Sequence, residues 1–485
     1  MSRIYFFVEL GTTCLYARLR TGLCKPSINY SCCRSVESRA APGAEHYSLL
    51  SQTHTARPSH ADAAREFSGT PPQRAVVQGV TQQLGAFSRV LALRIARTAR
   101  RAASTMAQPS QSIIKTDAPI VEKMRNLAKP GVASLAQGIV HWAPPAEAVD
   151  AAVKAASEPS SHAYGADAGL PELREALTDR LRTKGIDNVE VMVTAGANQA
   201  FTNVALTLLD AGDACVLFAP YYFNHNMMLD MRGCRVVIAQ TDAALLPTVE
   251  ATRKALDGGA RCVVLVNPGN PSGAVIPEDR LRAISDVCAE RNAWLVVDNT
   301  YDAFVYGVAH SLVEGPHVVN TFSFSKAYGL MGWRVGYLAY DPSIGPQMLK
   351  AQDTVAICAA QCSQKAALAA LEADVDGRWT SPRIAALADA QKKHVLKALQ
   401  PLGGCVGAAD GAIYVVAKLP REDDEAVVEW LAKEHGVAVI PGSACGMPGF
   451  IRVCYGNLAA DACEAACARL EEACAELAGG GGPPL

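Results

Sequence analysis

No stretch of this 485-residue chain stays apolar for the roughly 18 residues that a membrane-spanning helix needs. There is no CxxC pair and no Cys/His cluster at zinc spacing, although cysteines number sixteen. They are scattered, and Cys358/Cys362 and Cys463/Cys467 stand four apart, as on one helix face. They read as small buried hydrophobes in a reducing compartment, not as disulfide partners or metal ligands. Net charge is nearly absent at −2, so nothing over the whole chain favours nucleic acid or a membrane surface. Internal repeats are lacking too. What is present is an ordinary globular composition, half of it hydrophobic, long enough for two or three domains and a large core.

The small net charge hides an asymmetry. Up to Met106 the chain lacks acid: thirteen Arg and one Lys face five acidic residues, so this segment is +9 and the remainder −11. The segment is rich in Arg, Ser, Ala, Gln and Thr, and FSRVLALRIARTARRAAS, residues 87–104, spaces its arginines and aliphatics as an amphipathic basic helix would. Residues 1–109 therefore read as a disordered basic leader with the composition of an organelle transit peptide, bound for plastid or mitochondrion. A nucleic-acid arm, a plain disordered tail, and sequence upstream of a true start at Met106 are the competing readings. A start at Met106 would leave the protein cytoplasmic.

After the leader, a helix is expected at Ile120–Leu127, then a Gly/Pro loop, then helices from Ala146 and from Pro171. A regular alternation follows. Apolar runs at 191–194, 215–219, 235–239, 262–266, 294–298, 318–324 and 335–340 are separated by helical patterns, notably 198–209, 246–257 and 278–291. Short Val/Leu/Ile runs between helices predict a mainly parallel seven-stranded sheet covered on both faces. The seventh strand follows the sixth without a full helix, so it is expected to run antiparallel. From about residue 347 the texture changes to long helices, 351–373 and 383–402, then strands at 412–417, 437–440 and 451–455 and a last helix at 459–477. This gives residues 110–150 as the N-terminal part of a smaller α+β domain, 151–345 as the large domain, 346–478 as the rest of the small domain, and 479–485 as a flexible tail.

In an open α/β sheet, ligands bind at the carboxyl ends of the strands. The first strand ends in Ala195-Gly196-Ala197-Asn198, a small-residue turn opening a helix, whose free amides suit phosphate. The second ends in Pro220-Tyr221-Tyr222, where an aromatic can stack on a flat ring. The fourth ends in Asn267-Pro-Gly-Asn270, and the fifth in Asp298, followed by Asn299-Thr300-Tyr301. The sixth carries Ser323 and Ser325, then Lys326, with Arg334 eight residues on. Singly, each reads as turn chemistry, core packing or a solvated surface charge. At one edge of one sheet they form a set. Pyridoxal 5′-phosphate needs that whole set: an amine for its aldehyde (Lys326), a carboxylate for its ring N–H (Asp298), a stacking ring (Tyr222), donors to its phenolate oxygen (Asn270, Tyr301) and a phosphate cradle (Ser323, Ser325, Arg334, Ala197, Asn198).

VTAGANQA, VNPGNPSG, VVDNTYDAF, SFSKAYGLMGWRVGY and PGFIRVCYG, in this order and spacing, resemble the class I, fold-type-I pyridoxal-phosphate aminotransferases across about residues 110–478. SLAQGIVHWAPP, AYGADAGLPELREAL, PYYFN, GAIYVVAKLP and VIPGSACGMPGF look most like those of plant aromatic aminotransferases, which lack the long leader. The resemblance implies the fold-type-I transferase fold and ping-pong transfer of an amino group between an aromatic amino acid or methionine and a 2-oxo acid such as indole-3-pyruvate or phenylpyruvate. It implies Lys326, Asp298 and Tyr222 as catalytic residues and Arg452 as the grip on the substrate carboxylate. It puts Gly138, Trp142 and Asn270 near the substrate. Tyr164 would reach the neighbouring subunit's phosphate, which implies a homodimer with shared active sites. No metal is expected. Two other readings remain. One is a lyase on the same scaffold, such as a cysteine-conjugate β-lyase or aminocyclopropane carboxylate synthase. The other is a cofactor-fold regulator bound to DNA through the basic leader.

Overall fold

The structure, a computed structural model, describes residues 107–127 and 129–483, and the backbone of three short strands nearer the N-terminus. The chain divides into two units, Met1–Ser104 and Thr105–Leu485. In the first unit Ile4–Leu10 pairs antiparallel with Thr13–Leu19, Leu10 opposite Thr13, and Tyr30–Ser31 adds to the second strand. Apart from the basic helix at 87–104, the composition of the leader predicts disorder, so this hairpin is a departure. IYFFVEL and TCLYARL are aromatic and β-branched, with Gly-Thr between them, which is strand-and-turn chemistry that the Arg/Ser-rich average conceals. The basic helix expected over residues 87–104 lies outside the described residues.

The second unit is built on the seven-stranded sheet. Its strands are β1 (Glu190–Thr194), β2 (Ala214–Ala219), β3 (Arg235–Gln240), β4 (Cys262–Val266), β5 (Trp294–Asp298), β6 (Val318–Ser323) and β7 (Gly336–Tyr340), in spatial order β1-β7-β6-β5-β4-β2-β3. All pairings are parallel except those of β7, which runs antiparallel to both β6 and β1. The strand interiors are apolar on both sides because both sides are covered. Val263, Leu265, Leu295 and Val297 pack with Leu281, Ile284 and Val287 of the Glu278–Glu290 helix on one face. Val264, Val296 and Met192 pack with Phe201, Val204 and Leu208 of the Ala197–Leu208 helix on the other. The period-2 alternation of each strand thus feeds two cores.

A second, antiparallel sheet orders β8 (Tyr414–Lys418), β10 (Phe450–Cys454) and β9 (Ile440–Pro441). The early segment Ala133–Ser134 pairs in parallel with Val437–Ala438, and the Leu135 carbonyl accepts from the Cys454 amide. Two expectations change here. The helix predicted over 351–373 is two helices, Gly345–Ala356 and Gln361–Ala373, broken where Ile357 takes a left-handed φ of 60°. No Gly or Pro marks that break in AICAA, so nothing local announces it. The tail predicted to be free is held as far as Pro483: Arg421 donates to the carbonyls of Gly480, Gly481 and Pro483.

One close contact joins the sheet to the helix that follows β1. A Cβ added at Gly336 would lie 2.7 Å from the Phe322 carbonyl oxygen and 2.8 Å from the Ala197 amide nitrogen. Gly336→Ala is therefore expected to destabilise the protein by about 1–3 kcal/mol, the usual cost of overpacking, read as a melting temperature lower by several degrees. An unchanged melting temperature would contradict this packing.

Candidate active site

The carboxyl ends of β4, β5 and β6, the start of the Ala197–Leu208 helix and the side chain of Arg452 on β10 enclose a cleft of about 260 Å³. One ordered water needs roughly 10–15 Å³, so the space is that of a ligand. Twelve of the fourteen residues singled out in the sequence line it: Gly138, Ala197, Asn198, Tyr222, Asn270, Asp298, Tyr301, Ser323, Ser325, Lys326, Arg334 and Arg452.

Asp298 ends β5 and is buried. Burial alone would raise its carboxyl pKa, but bonds from His225 and Thr300 outweigh that and hold it below the usual value. His225 Nε2 lies 3.2 Å from Oδ2. The Thr300 amide and hydroxyl donate to Oδ1 at 3.0 and 2.7 Å. His225 comes from the Phe223–Arg232 helix, its ring 4.2 Å from that of Phe201, and its Nδ1 is buried with no partner among the described residues. The carboxylate is therefore ionised over the whole neutral range, as a partner for a protonated ring nitrogen must be.

Lys326 leaves the end of β6 into the cleft, and its amine donates to the Gly138 carbonyl. Burial pushes its pKa down to about 8; the Cys454 thiol pulls the other way, and the cations Arg334 and Arg452 add to the fall. A lysine in that state is a nucleophile near neutrality. Gly138 must be glycine: a Cβ there would lie 1.8 Å from Tyr414 Oη.

The cleft also holds a basic cup. Gly196, at φ +84°, turns the chain from β1 into the helix, and a Cβ there would lie 2.3 Å from an Arg334 Nη. Arg334 itself holds a left-handed φ of 56°, a conformation that costs a non-glycine residue about 1 kcal/mol or more. Its guanidinium reaches the Ser325 hydroxyl at 3.4 Å and the carbonyls of Met331 and Ala195 at 3.0 and 3.4 Å. Ser323 Oγ accepts from the Ser325 amide.

Arg452 is buried. It donates to Asn270 Oδ1 at 2.9 Å and to the Ala136 carbonyl at 2.7 Å, and its guanidinium carbon stands 4.4 Å over the Tyr414 ring. Its Nε–H has no partner among the described residues. Among the described residues no carboxylate pairs with Arg334 or Arg452. The charged groups lining the cleft are thus three cations, Lys326, Arg334 and Arg452, and one anion, Asp298. Buried charge is costly without a counterion. The surplus positive charge fits a phosphate at one end and a carboxylate at the other, so the residues present suit pyridoxal phosphate and an amino-acid substrate.

Two of the fourteen do not line this chain's cleft. Trp142 does not line the cleft; it stacks on Phe304 at 6.2 Å and its Nε1–H donates to the Ala327 carbonyl, bracing the Lys326 loop from behind. Tyr164 is 82% exposed and is no part of its own chain's cleft. Two functional side chains escape the sequence reading. His225 sits three residues after Tyr222, a spacing that could have exposed it once a helix there is recognised. Tyr414 lines the cleft from β8 and carries no local signal, since GAIYVV reads as a core strand.

A family model described as aminotransferase class I and II matches residues 130–470. The aromatic aminotransferase ISS1 of Arabidopsis thaliana is 45% identical over 384 residues, covering 76% of this chain and 96% of that protein. An aspartate aminotransferase of Thermotoga maritima is 31% identical over 299 residues, 60% of this chain and 78% of its own length. Among solved structures, the Thermus thermophilus aspartate aminotransferase with maleate gives a TM-score of 0.69 at 26% identity, with 76% of this chain and all of that one covered. The seven-stranded sheet, the cleft at its carboxyl edge and these likenesses agree: the chain belongs to the class I and II aminotransferases, enzymes that use pyridoxal 5′-phosphate.

Proposed function

We propose that this aminotransferase moves the amino group of an aromatic amino acid or methionine to a 2-oxo acid such as indole-3-pyruvate or phenylpyruvate, in two half-reactions at one site. The observation that carries the reading is the buried Arg452 guanidinium, without a carboxylate, in one cleft with an amine of lowered pKa and an ionised Asp298. The substrate class rests on the aromatic aminotransferase likeness and on the apolar lining by Val121, Ile139, Phe223 and Met331. With Arg334 assigned to phosphate, this chain's cleft offers no further guanidinium for a second substrate carboxylate.

Bound pyridoxal phosphate supplies the electron sink for the pair released when the substrate Cα–H bond breaks. Asp298 keeps the ring nitrogen protonated. Arg334, Ser325, Ser323 and the Ala197 and Asn198 amides hold the phosphate. Tyr222 would hold the ring by stacking, and Asn270 and Tyr301 would donate to its phenolate oxygen. The free N–H groups of Arg452 grip the substrate carboxylate and set the Cα–H bond across the ring. With its lowered pKa, Lys326 Nζ would take the substrate Cα proton as general base and return it as general acid. The exposed Tyr164, with Val149 and Val153 exposed on the Ala146–Ala156 helix, fits a homodimer in which Tyr164 completes the partner's phosphate cup.

Pairing methionine, tryptophan, phenylalanine and glutamate with their oxo acids tests the substrate class; transfer confined to glutamate and aspartate would overturn it. Lys326→Ala is expected to abolish turnover, and normal turnover in that variant would end the assignment. Because burial lowers the Lys326 pKa, the neutral amine dominates above about pH 8 and not above the ordinary 10.5. The rate at which cofactor-free protein captures pyridoxal phosphate should climb through pH 8 and level off by pH 9, measured by the visible absorbance it generates. Arg452→Lys should raise KM for the amino acid roughly 100-fold, since a point charge cannot replace a forked grip. His225→Phe removes a bond that lowers the Asp298 pKa, so that pKa rises and the acid limb of the kcat/KM profile should move to higher pH.

A further inference from the structure

Two phenols share one hydrogen bond in the floor of the cleft. Tyr301 Oη and Tyr414 Oη lie 2.5 Å apart, and either could be the donor. Both side chains are buried. Two hydroxyls bring two protons, and one bond between them uses one. Among the described residues neither hydroxyl has another hydrogen-bond partner. One buried O–H therefore lacks a protein acceptor, a state that buried donors avoid. An oxygen of a ligand bound in the cleft can meet the surplus proton.

The surroundings decide which phenol faces inward. The Gly138 backbone stands so close over Tyr414 Oη that no Cβ fits between them, so this hydroxyl is covered on that side. The Arg452 guanidinium caps the ring face of Tyr414 at 4.4 Å. Burial raises the pKa of both phenols and Arg452 lowers both, but the guanidinium lies directly over the Tyr414 ring, so its pull favours Tyr414 as the more acidic of the two. The better acid is the better donor. Tyr301, three residues beyond Asp298, keeps the open hydroxyl.

We infer that Tyr414 is a positioning residue that donates its proton to Tyr301 Oη and so commits the Tyr301 proton to the ring oxygen of the bound cofactor. The inference rests on the pyridoxal-phosphate reading of this cleft. A hydroxyl that accepts one hydrogen bond donates a stronger one, because the dipoles polarise each other in series. A stronger Tyr301 donor draws more negative charge from the ring oxygen. The Lys326–cofactor linkage then gives up its proton at a lower pH. Tyr414 never touches the reacting atoms; it acts through Tyr301.

The test is a pH titration of the visible absorbance of the cofactor-loaded protein, which reads the protonation of that linkage without turnover. In Tyr414→Phe the midpoint should rise by roughly 0.3–0.6 of a pH unit. In a Tyr301→Phe background the same change should move nothing. Replacing Tyr414 by 3-fluorotyrosine, a more acidic phenol of nearly the same size, should lower the midpoint and serves if the Phe variant folds poorly. An unchanged or lowered midpoint in Tyr414→Phe, or an equal shift in the Tyr301→Phe background, overturns the inference. Loss of any Lys326-dependent visible band from the parent protein would instead sink the cofactor reading, so the two failures are distinguishable.

Discussion

Everything in this site turns on buried positive charge that the chain does not neutralise by itself. Lys326, Arg334 and Arg452 enter one cleft with Asp298 as the sole lining carboxylate among the described residues. Such an arrangement survives only if backbone carbonyls and rings replace the missing anions. Gly138 accepts from Lys326, Ala195 and Met331 from Arg334, and Ala136 from Arg452, while the Tyr414 ring lies under the Arg452 guanidinium. These are dipoles, not charges, and they leave the cleft with an appetite for anions that only a ligand satisfies. Stability is spent for binding, as the left-handed φ at Arg334 also suggests.

The fold turns that charge into geometry. Parallel strands buried on both faces bring residues more than a hundred positions apart, Ala197 to Lys326, to one edge. The antiparallel β7 closes the sheet on β1 and sets the Arg334 guanidinium beside Gly196. β10 carries Arg452 and Cys454 on the same face, and both reach the 136–139 loop through its carbonyls. The cup, the acid and the grip thus belong to different elements, and each element is fixed by its own core.

How much of this the sequence made legible follows from range. Strands of five or six apolar residues, and the functional types that end them, are local signals, so the sheet, the antiparallel seventh strand and the group from Ala197 to Arg334 could be read directly. Arg452 could not: in FIRVC it looks like an arginine on a half-exposed strand, and only likeness to a family gave it a role. Tyr414 and His225 matter because of partners 113 and 73 residues away. The break at Ile357 has no local mark at all, and Trp142, expected near the substrate, turned out to brace the lysine loop from outside. Pairings that skip so far along the chain are set by tertiary packing, which overrides propensity.

The ladder that joins Ala133–Ser134 to Val437–Ala438, with Leu135 bonded to Cys454, bears on how this enzyme is made. On a ribosome the first of these segments emerges some three hundred residues before its partners. Until β8 is synthesised Gly138 has no Tyr414 beneath it, and until β10 follows Ala136 has no arginine to receive. The nascent chain can complete much of the seven-stranded sheet, yet it must carry an unfinished cleft and unpaired strand edges for most of its synthesis. Non-local closure of this kind is slow and exposes aggregation-prone surface, so residues 436–485 govern when that exposure ends.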